Sequence, residues 1–299
     1  MNNSLKGTVA IIASRIAAGL NVNCTKYLLP LWITPMGFVT FRLLFGTAFF
    51  WLLAIFDKPD NSSVRDRIKL MILGAVAVFG YMSLYAVGMS YTTPVNFAIF
   101  NATQPIWVFV FSVFMRNERV STGKILGIVL GFMGVVVASL ASPVHDLAPN
   151  RSLGNTIAVV SSVFYSIYLI SSSALLRKIT NLVMLRYTFL GATLSALFFS
   201  FFSDISAPMF TTHFNPKAIA VFAFVLVFPT IISYLLVPIG VKYLKTTLVA
   251  IYGYISLLVA TIVSLFLGQD RFDFFLLFAM LLICCGIYLV GKAAERGKV

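Results

Sequence analysis

Charge is what this 299-residue sequence has least of. Only 10% of its residues are Asp, Glu, Lys or Arg, against 60% hydrophobic. A soluble globular chain carries roughly 25% charged residues, so a water-exposed globular fold is excluded. Cysteine is scarce as well. Cys24 stands alone, and Cys284 and Cys285 adjoin each other inside an apolar run. That gives neither a disulfide framework nor metal-ligand spacing, and the adjacent pair reads as small hydrophobes. No metal site and no cofactor is expected. No GxxxxGKS or GxxxxGKT run occurs, which excludes ATP hydrolysis by this chain as an energy source. Acids are few and peripheral: the nine, at 57, 60, 66, 118, 146, 204, 270, 273 and 295, all fall in links or at helix ends. Both histidines, His145 and His213, lie in links. A carboxylate or histidine proton relay at mid-membrane therefore has no carrier. A membrane-embedded enzyme would need such groups clustered, so the chain is read as a non-enzyme.

What is abundant is long apolar runs. Ten are legible, at roughly 8–29, 35–56, 68–90, 94–115, 124–141, 153–176, 182–203, 217–240, 246–267 and 273–291. Each approaches the ~20 residues that cross a ~30 Å hydrocarbon core. Lipid offers no partner to backbone amides, so runs of this length must be helices. The expected fold is an all-α polytopic membrane protein of ten transmembrane helices. The first run follows a short start containing Lys6 and has no small-residue cleavage site, so it is expected to stay as a helix.

The net charge of +13 reads as membrane orientation and not as a nucleic-acid footprint. With the N-terminus inside, fifteen Lys and Arg fall in cytoplasmic links and tails, and four (Lys26, Arg151, Lys217 and Arg271) fall in outer links. The positive-inside bias then places both termini in the cytoplasm of a cell with the chain in its inner (plasma) membrane. The two halves echo each other. The fourth run follows GMSYTT (88–93) and the ninth follows GVKYLK (240–245); FRLLFGTA (41–48) in the second run resembles LRYTFLGA (185–192) in the seventh. Five spans per half force the second half to enter from the opposite side. Inverted-topology repeats of this kind are a common build of secondary transporters, with the substrate site near the midplane between the halves. The halves are expected at 1–145 and 146–299.

Polar residues inside the runs are the site candidates. In the fourth run, Phe97, Asn101, Gln104 and Val108 share one helical face, followed by Pro105. The sixth repeats that spacing with Ser161, Tyr165, Tyr168 and Ser172. The third offers Tyr81 and Tyr85, the eighth Thr230 and Tyr234, the ninth Tyr252, Tyr254 and Ser256. Rings near mid-span with a few amides and hydroxyls suit an amphipathic substrate with an apolar body; glueing helices together is the plainer role open to each of them. Three arginines lie within spans. Arg42 and Arg186 read as repeat partners with a shared structural job. Arg15, about eight residues or ~12 Å into the first run, is matched by Val163 and is the candidate ligand for a substrate carboxylate, with a reach to the inner interface as the other role open to it. The expected binding set is Arg15, Tyr81, Tyr85, Asn101, Gln104, Tyr165, Tyr168, Tyr234 and Tyr252. Pro105, Pro229 and Pro238 are the hinge candidates. Gly123, Gly127, Gly131 and Gly134 form a close-packing stripe, within a protomer or between protomers.

The run YTTPVNFAIFNATQPIWVFVFSVFMRNERVSTGKILGIVLGFMGVVVA resembles the EamA-type members of the drug/metabolite transporter superfamily. The resemblance covers essentially the whole chain, with Gln104-Pro105, Glu118 and the glycine-rich fifth run its best-matching parts. In overall pattern the chain is also similar to exporters of aromatic amino acids of the YddG type. The second half departs from the pattern, with Ser256 at the position of Pro105 and Gln269 at that of Glu118. The resemblance implies a secondary transporter that exports aromatic or apolar amino acids by alternating access. A carrier of phosphorylated or nucleotide-linked sugars is an alternative that needs several cavity cations. A cationic drug exporter would favour a buried carboxylate. The expected partners are a small-molecule substrate and the lipid bilayer, with no nucleic acid and with the chain acting as a monomer.

Overall fold

A computed structural model of the protein describes residues 3–57, 60, 62–114, 121–141, 149–268 and 274–296. The described residues form ten long helices: α1 (Asn3–Leu28), α2 (Pro35–Ala54), α3 (Val64–Tyr91), α4 (Pro94–Phe114), α5 (Thr122–Ala141), α6 (Arg151–Leu175), α7 (Asn181–Ser200), α8 (Pro216–Tyr243), α9 (Thr246–Phe266) and α10 (Phe274–Arg296). A 3₁₀ turn, Pro208–Phe210, lies between α7 and α8, and the described residues form no strand. Eight of the helices, α1–α4 and α6–α9, are long and apolar enough to cross a membrane. The runs expected as fifth and tenth spans are the helices α5 and α10, which pack along each other. Glu118, Gln269, His145 and the expected repeat boundary at residue 145 lie outside the described residues.

Local chemistry sets the helix starts. Thr34, Ser63, Thr93, Asn150, Thr180 and Asn215 each accept a backbone N–H from the first turn that follows. Pro35, Pro94 and Pro216 stand just inside three of these caps, where the missing N–H costs nothing.

The irregularities repeat as faithfully as the helices. Both α3 and α8 open into a π-helical turn ten residues past their starts, at Gly74–Val78 and Leu226–Ile232. Within α8 the cause is visible: Pro229 sits in the turn and cannot donate to the helical ladder. In the same way α4 is interrupted at Ala102–Thr103 and α9 at Tyr252. Pro105 opens the second segment of α4, whereas α9 breaks with no proline: Ser256 Oγ donates to the Gly253 carbonyl (2.6 Å) just past the break. The loss of proline in the second half therefore does not remove the break.

The two halves interleave. Helix α1 packs on α8 and α9, α6 packs on α3 and α4, α2 meets α7, and α5 meets α10. Each half's first helix thus lies against the other half's third and fourth. The outer faces are apolar, with Val9, Leu44, Val76, Phe132, Leu194 and Phe198 exposed, while Ser14, Asn21, Asn23, Ser161, Ser166 and Thr230 are buried. This is the pattern of helices joined by polar and small residues in a hydrocarbon surround. The glycine stripe of α5 packs within the chain: Gly127 lies against Val290 and the Gly286 carbonyl, Gly123 against Ala293 and Gly131 against the ring of Tyr254.

Candidate functional site

A central cavity lies among α1, α2, α3 and α4 of the first half and α6, α8 and α9 of the second. Its empty space is about 740 Å³, counting the space at its mouth. Of the nine residues expected to bind substrate, seven line it: Arg15, Tyr81, Tyr85, Asn101, Gln104, Tyr165 and Tyr234. Tyr168 stands one layer behind, buried, with its ring 5.9 Å from Tyr165 and 6.0 Å from Tyr234. Tyr252 is half-buried at the break of α9 and is not part of the lining. Among the hinge candidates, Pro105 and Pro229 touch the cavity and Pro238 is buried further along α8.

One wall is a continuous chain of rings. Tyr85, Tyr81 and Tyr165 follow one another at centroid distances of 5.8 and 4.7 Å, with the fully buried Phe97 backing Tyr85 at 4.8 Å. Beyond Tyr168, Tyr234 stands 4.9 Å edge-on from Phe189. Such edge-to-face and tilted contacts fix ring orientations, so the wall is preformed. The polar groups are set among these rings. Asn21 donates to the Tyr85 hydroxyl (3.2 Å). Ser14 and Ser233 share a hydrogen bond (2.6 Å) that ties α1 to α8 beside the cavity. Among the described residues the buried Asn101 Oδ1 has no hydrogen-bond partner, and the Gln104 amide reaches toward Gly253 across the two broken helices.

Arg15 lies midway along α1, twelve residues past its start, and is 5% exposed. Its helix begins earlier than the expected span, at Asn3. It donates through Nη1 to the Tyr165 hydroxyl (3.4 Å) and through Nη2 to the Val249 carbonyl (3.3 Å), with its guanidinium 5.4 Å from the Tyr165 ring centre.

Arg42 does not sit where the pairing with Arg186 placed it. It lines the same cavity, 5% exposed, while Arg186 lies elsewhere. The two are not partners by register. Thr34 and Thr180 cap α2 and α7, and Thr47 and Thr193, each twelve residues past its helix start, hydrogen-bond to each other (2.7 Å). Counted from those caps, Arg42 matches Thr188. Arg186 is displaced from it by two residues, roughly 200° around a helix. The two are therefore not repeat partners, and the caps themselves were the signal that could have shown it.

Arg186 instead joins a polar cluster at the α2–α3 link. Asp60 accepts from Arg186 and from the Tyr187 hydroxyl (3.0 Å), and pairs with Arg67 (3.3 Å). Burial pushes the Asp60 carboxyl up, but hydrogen bonds from Ser62 and Tyr187 and the charge of Arg186 outweigh it and hold the group down at about 2. A carboxyl so depressed stabilises the fold fully above its ordinary pKa of about 4, and that stabilisation is lost as pH falls toward 2. Asp60→Asn is thus expected to lower the thermal midpoint by the same amount from pH 5 to pH 9. The gap from the parent chain should close only below pH 4; a gap that closes between pH 5 and 7 would contradict this assignment.

Among the described residues no Asp or Glu lines the cavity, and no cluster of three or more His, Cys, Asp or Glu is placed to hold a metal. The arrangement can receive an apolar body on its rings and an anionic group on its arginines.

Comparisons with known proteins agree with this architecture. The uncharacterized transporter YyaM of Bacillus subtilis is 22% identical over 278 residues, 92% of this chain and 90% of that protein. An uncharacterized transporter of Archaeoglobus fulgidus is 23% identical over 262 residues, 86% of this chain and 88% of its own. The aromatic amino acid exporter YddG of Ancylobacter novellus is 26% identical over 137 residues, 46% of this chain and 47% of that exporter. A solved crystal structure superposes with a TM-score of 0.73 over 99% of both chains at 20% identity, a likeness of fold. The EamA-like transporter family matches twice, at residues 5–140 and 152–292, the two halves whose caps, π-turns and helix breaks repeat. The chain belongs to the EamA-like transporter family.

Proposed function

We propose that the protein is a secondary transporter that exports small amphipathic metabolites by alternating access through the central cavity. The cargo joins an apolar or aromatic body to a carboxylate, the class to which the aromatic and apolar amino acids expected from the sequence belong. In this reading all ten helices cross the inner membrane as two inverted five-helix repeats divided near residue 145, with both termini cytoplasmic. The observation that carries it is the composition of the cavity wall. Rings from α3, α6 and α8 and the guanidinium of Arg15 meet where the two halves interleave. A site built from both halves is one that rocking of the halves would open to each side in turn. The broken helices α4 and α9 and the proline-bearing π-turn of α8 supply places for that motion to bend.

The test is counterflow in liposomes with a panel of aromatic and aliphatic carboxylates, amino acids included, run with and without a pH gradient. Saturable exchange of at least one ring-bearing carboxylate is expected. The gradient should drive no accumulation, because no acid or histidine lines the cavity among the described residues. Folded, monodisperse protein that exchanges none of the panel would defeat the proposal.

A further inference from the structure

The cavity holds two guanidinium groups and, among the described residues, no acid to balance them. Arg42 is the less committed of the two. Its one hydrogen bond among the described residues runs from Nε to Thr230 Oγ1 (2.9 Å), and its guanidinium lies 5.1 Å from the Phe38 ring centre. Its two terminal nitrogens, four of the five N–H donors of the side chain, have no hydrogen-bond partner among those residues. The group is nevertheless held firmly. Thr230 sits in the π-turn of α8 and donates its own proton to the Val225 carbonyl (2.8 Å), so its oxygen is oriented to accept from Arg42. A deeply placed cation whose backing is fixed and whose outer donors are unused is built to meet an anion.

The arithmetic of charge then sorts the cargo. A zwitterion adds no net charge and brings an ammonium group in beside two cations. A monoanion offsets one guanidinium. A dianion offsets both and can use the four idle donors of Arg42 while Arg15 takes the other acidic group.

We propose that Arg42 forms a second anion-holding position in the cavity that Arg15 lines, so that the preferred cargo is a net-negative acid, with two negative charges on an aromatic or apolar body, and not a zwitterionic amino acid. This rests on the reading that the cavity is the transport site and fixes the substrate class within it. A second carboxylate and a phosphoryl group both satisfy the requirement.

The test uses one ring carrying four charge patterns: phenylalanine, phenylpyruvate, phenylsuccinate and phenyl phosphate. Binding is read from thermal stabilisation of the purified, detergent-solubilised protein at pH 7.4, and transport from counterflow in liposomes. One of the two dianions is expected to bind roughly tenfold or more tightly than phenylalanine, the scale of a single hydrogen bond to a charged group, with phenylpyruvate between. Which dianion ranks first distinguishes a second carboxylate from a phosphoryl group. Arg42→Gln should weaken the dianions by a larger factor than phenylpyruvate, and Arg42→Lys should recover part of the difference. Phenylalanine binding and exchanging as well as the dianions would overturn this inference while leaving the cavity as the transport site. Binding and exchange of none of the four would overturn both.

Discussion

Alanine at Gly74 or at Gly191 is expected to cost about 3 kcal/mol of stability, the upper part of the range for overpacking a close-packed interior, and to be seen as a large fall in thermal midpoint with loss of monodisperse protein. The two glycines form a reciprocal crossing of α3 and α7. A methyl group on Gly74 would overlap the carbonyl of Thr188, and one on Gly191 would overlap the carbonyl of Met71. Neither obstacle can rotate aside, since both are backbone. Thr188 is further tied to its own helix through hydrogen bonds from its hydroxyl to the carbonyls of Met184 (2.8 Å) and Leu185 (3.1 Å). Relief would require α3 and α7 to separate along their length, which opens voids among neighbours that include the fully buried Leu70, Met184 and Leu185. The matched control is Gly253→Ala. Its new methyl would meet only the Gln104 side-chain oxygen at 3.5 Å, an ordinary contact, so this variant should fold like the parent. Equal midpoints for the Gly74 variant and the parent would show that the crossing can loosen without cost.

Helices were legible in the sequence because lipid leaves a long apolar run no other option, and the ring wall was legible because helical spacing puts Tyr165 and Tyr168 on one face with Ser161. The cavity's second cation was not, because a resemblance between FRLLFGTA and LRYTFLGA aligned Arg42 with Arg186 by letter. The helix caps set the register two residues differently and sent one arginine inward and the other to Asp60. Tyr252 and Tyr254 show a different limit. Regular spacing assumes an unbroken helix, but α9 breaks at Tyr252. The ring of Tyr254 is fully buried against Gly131, away from the cavity lining. Likewise the stripe on α5 announced a close contact but not its partner. Gly286, the matching gap on α10, stands in an apolar stretch whose spacing points to no particular neighbour.

Glutamine at Arg15 is expected to reduce transport of ring-bearing carboxylates roughly ten- to a hundredfold, the range for losing a hydrogen bond to a charged group, and to affect the corresponding primary amides far less. Two weak contacts hold the side chain across the halves, both longer than the roughly 2.7–3.2 Å usual for N–H···O: 3.4 Å to the Tyr165 hydroxyl on α6 and 3.3 Å to the Val249 carbonyl on α9. The Nε is buried with no hydrogen-bond partner among the described residues. A carboxylate entering beside Tyr165 would offer shorter, charge-assisted bonds in place of these, a gain that an amide cannot match. Glutamine keeps a donor on α1 but removes the charge, so it separates attraction for an anion from the tie between helices. The ratio of acid to amide transport is therefore the deciding quantity, with the thermal midpoint measured alongside. A fall in that ratio at near-constant midpoint places Arg15 on the substrate. Equal losses for acid and amide, with a lowered midpoint, would make it a brace between α1, α6 and α9. The anion-holding role would then pass to Arg42 alone.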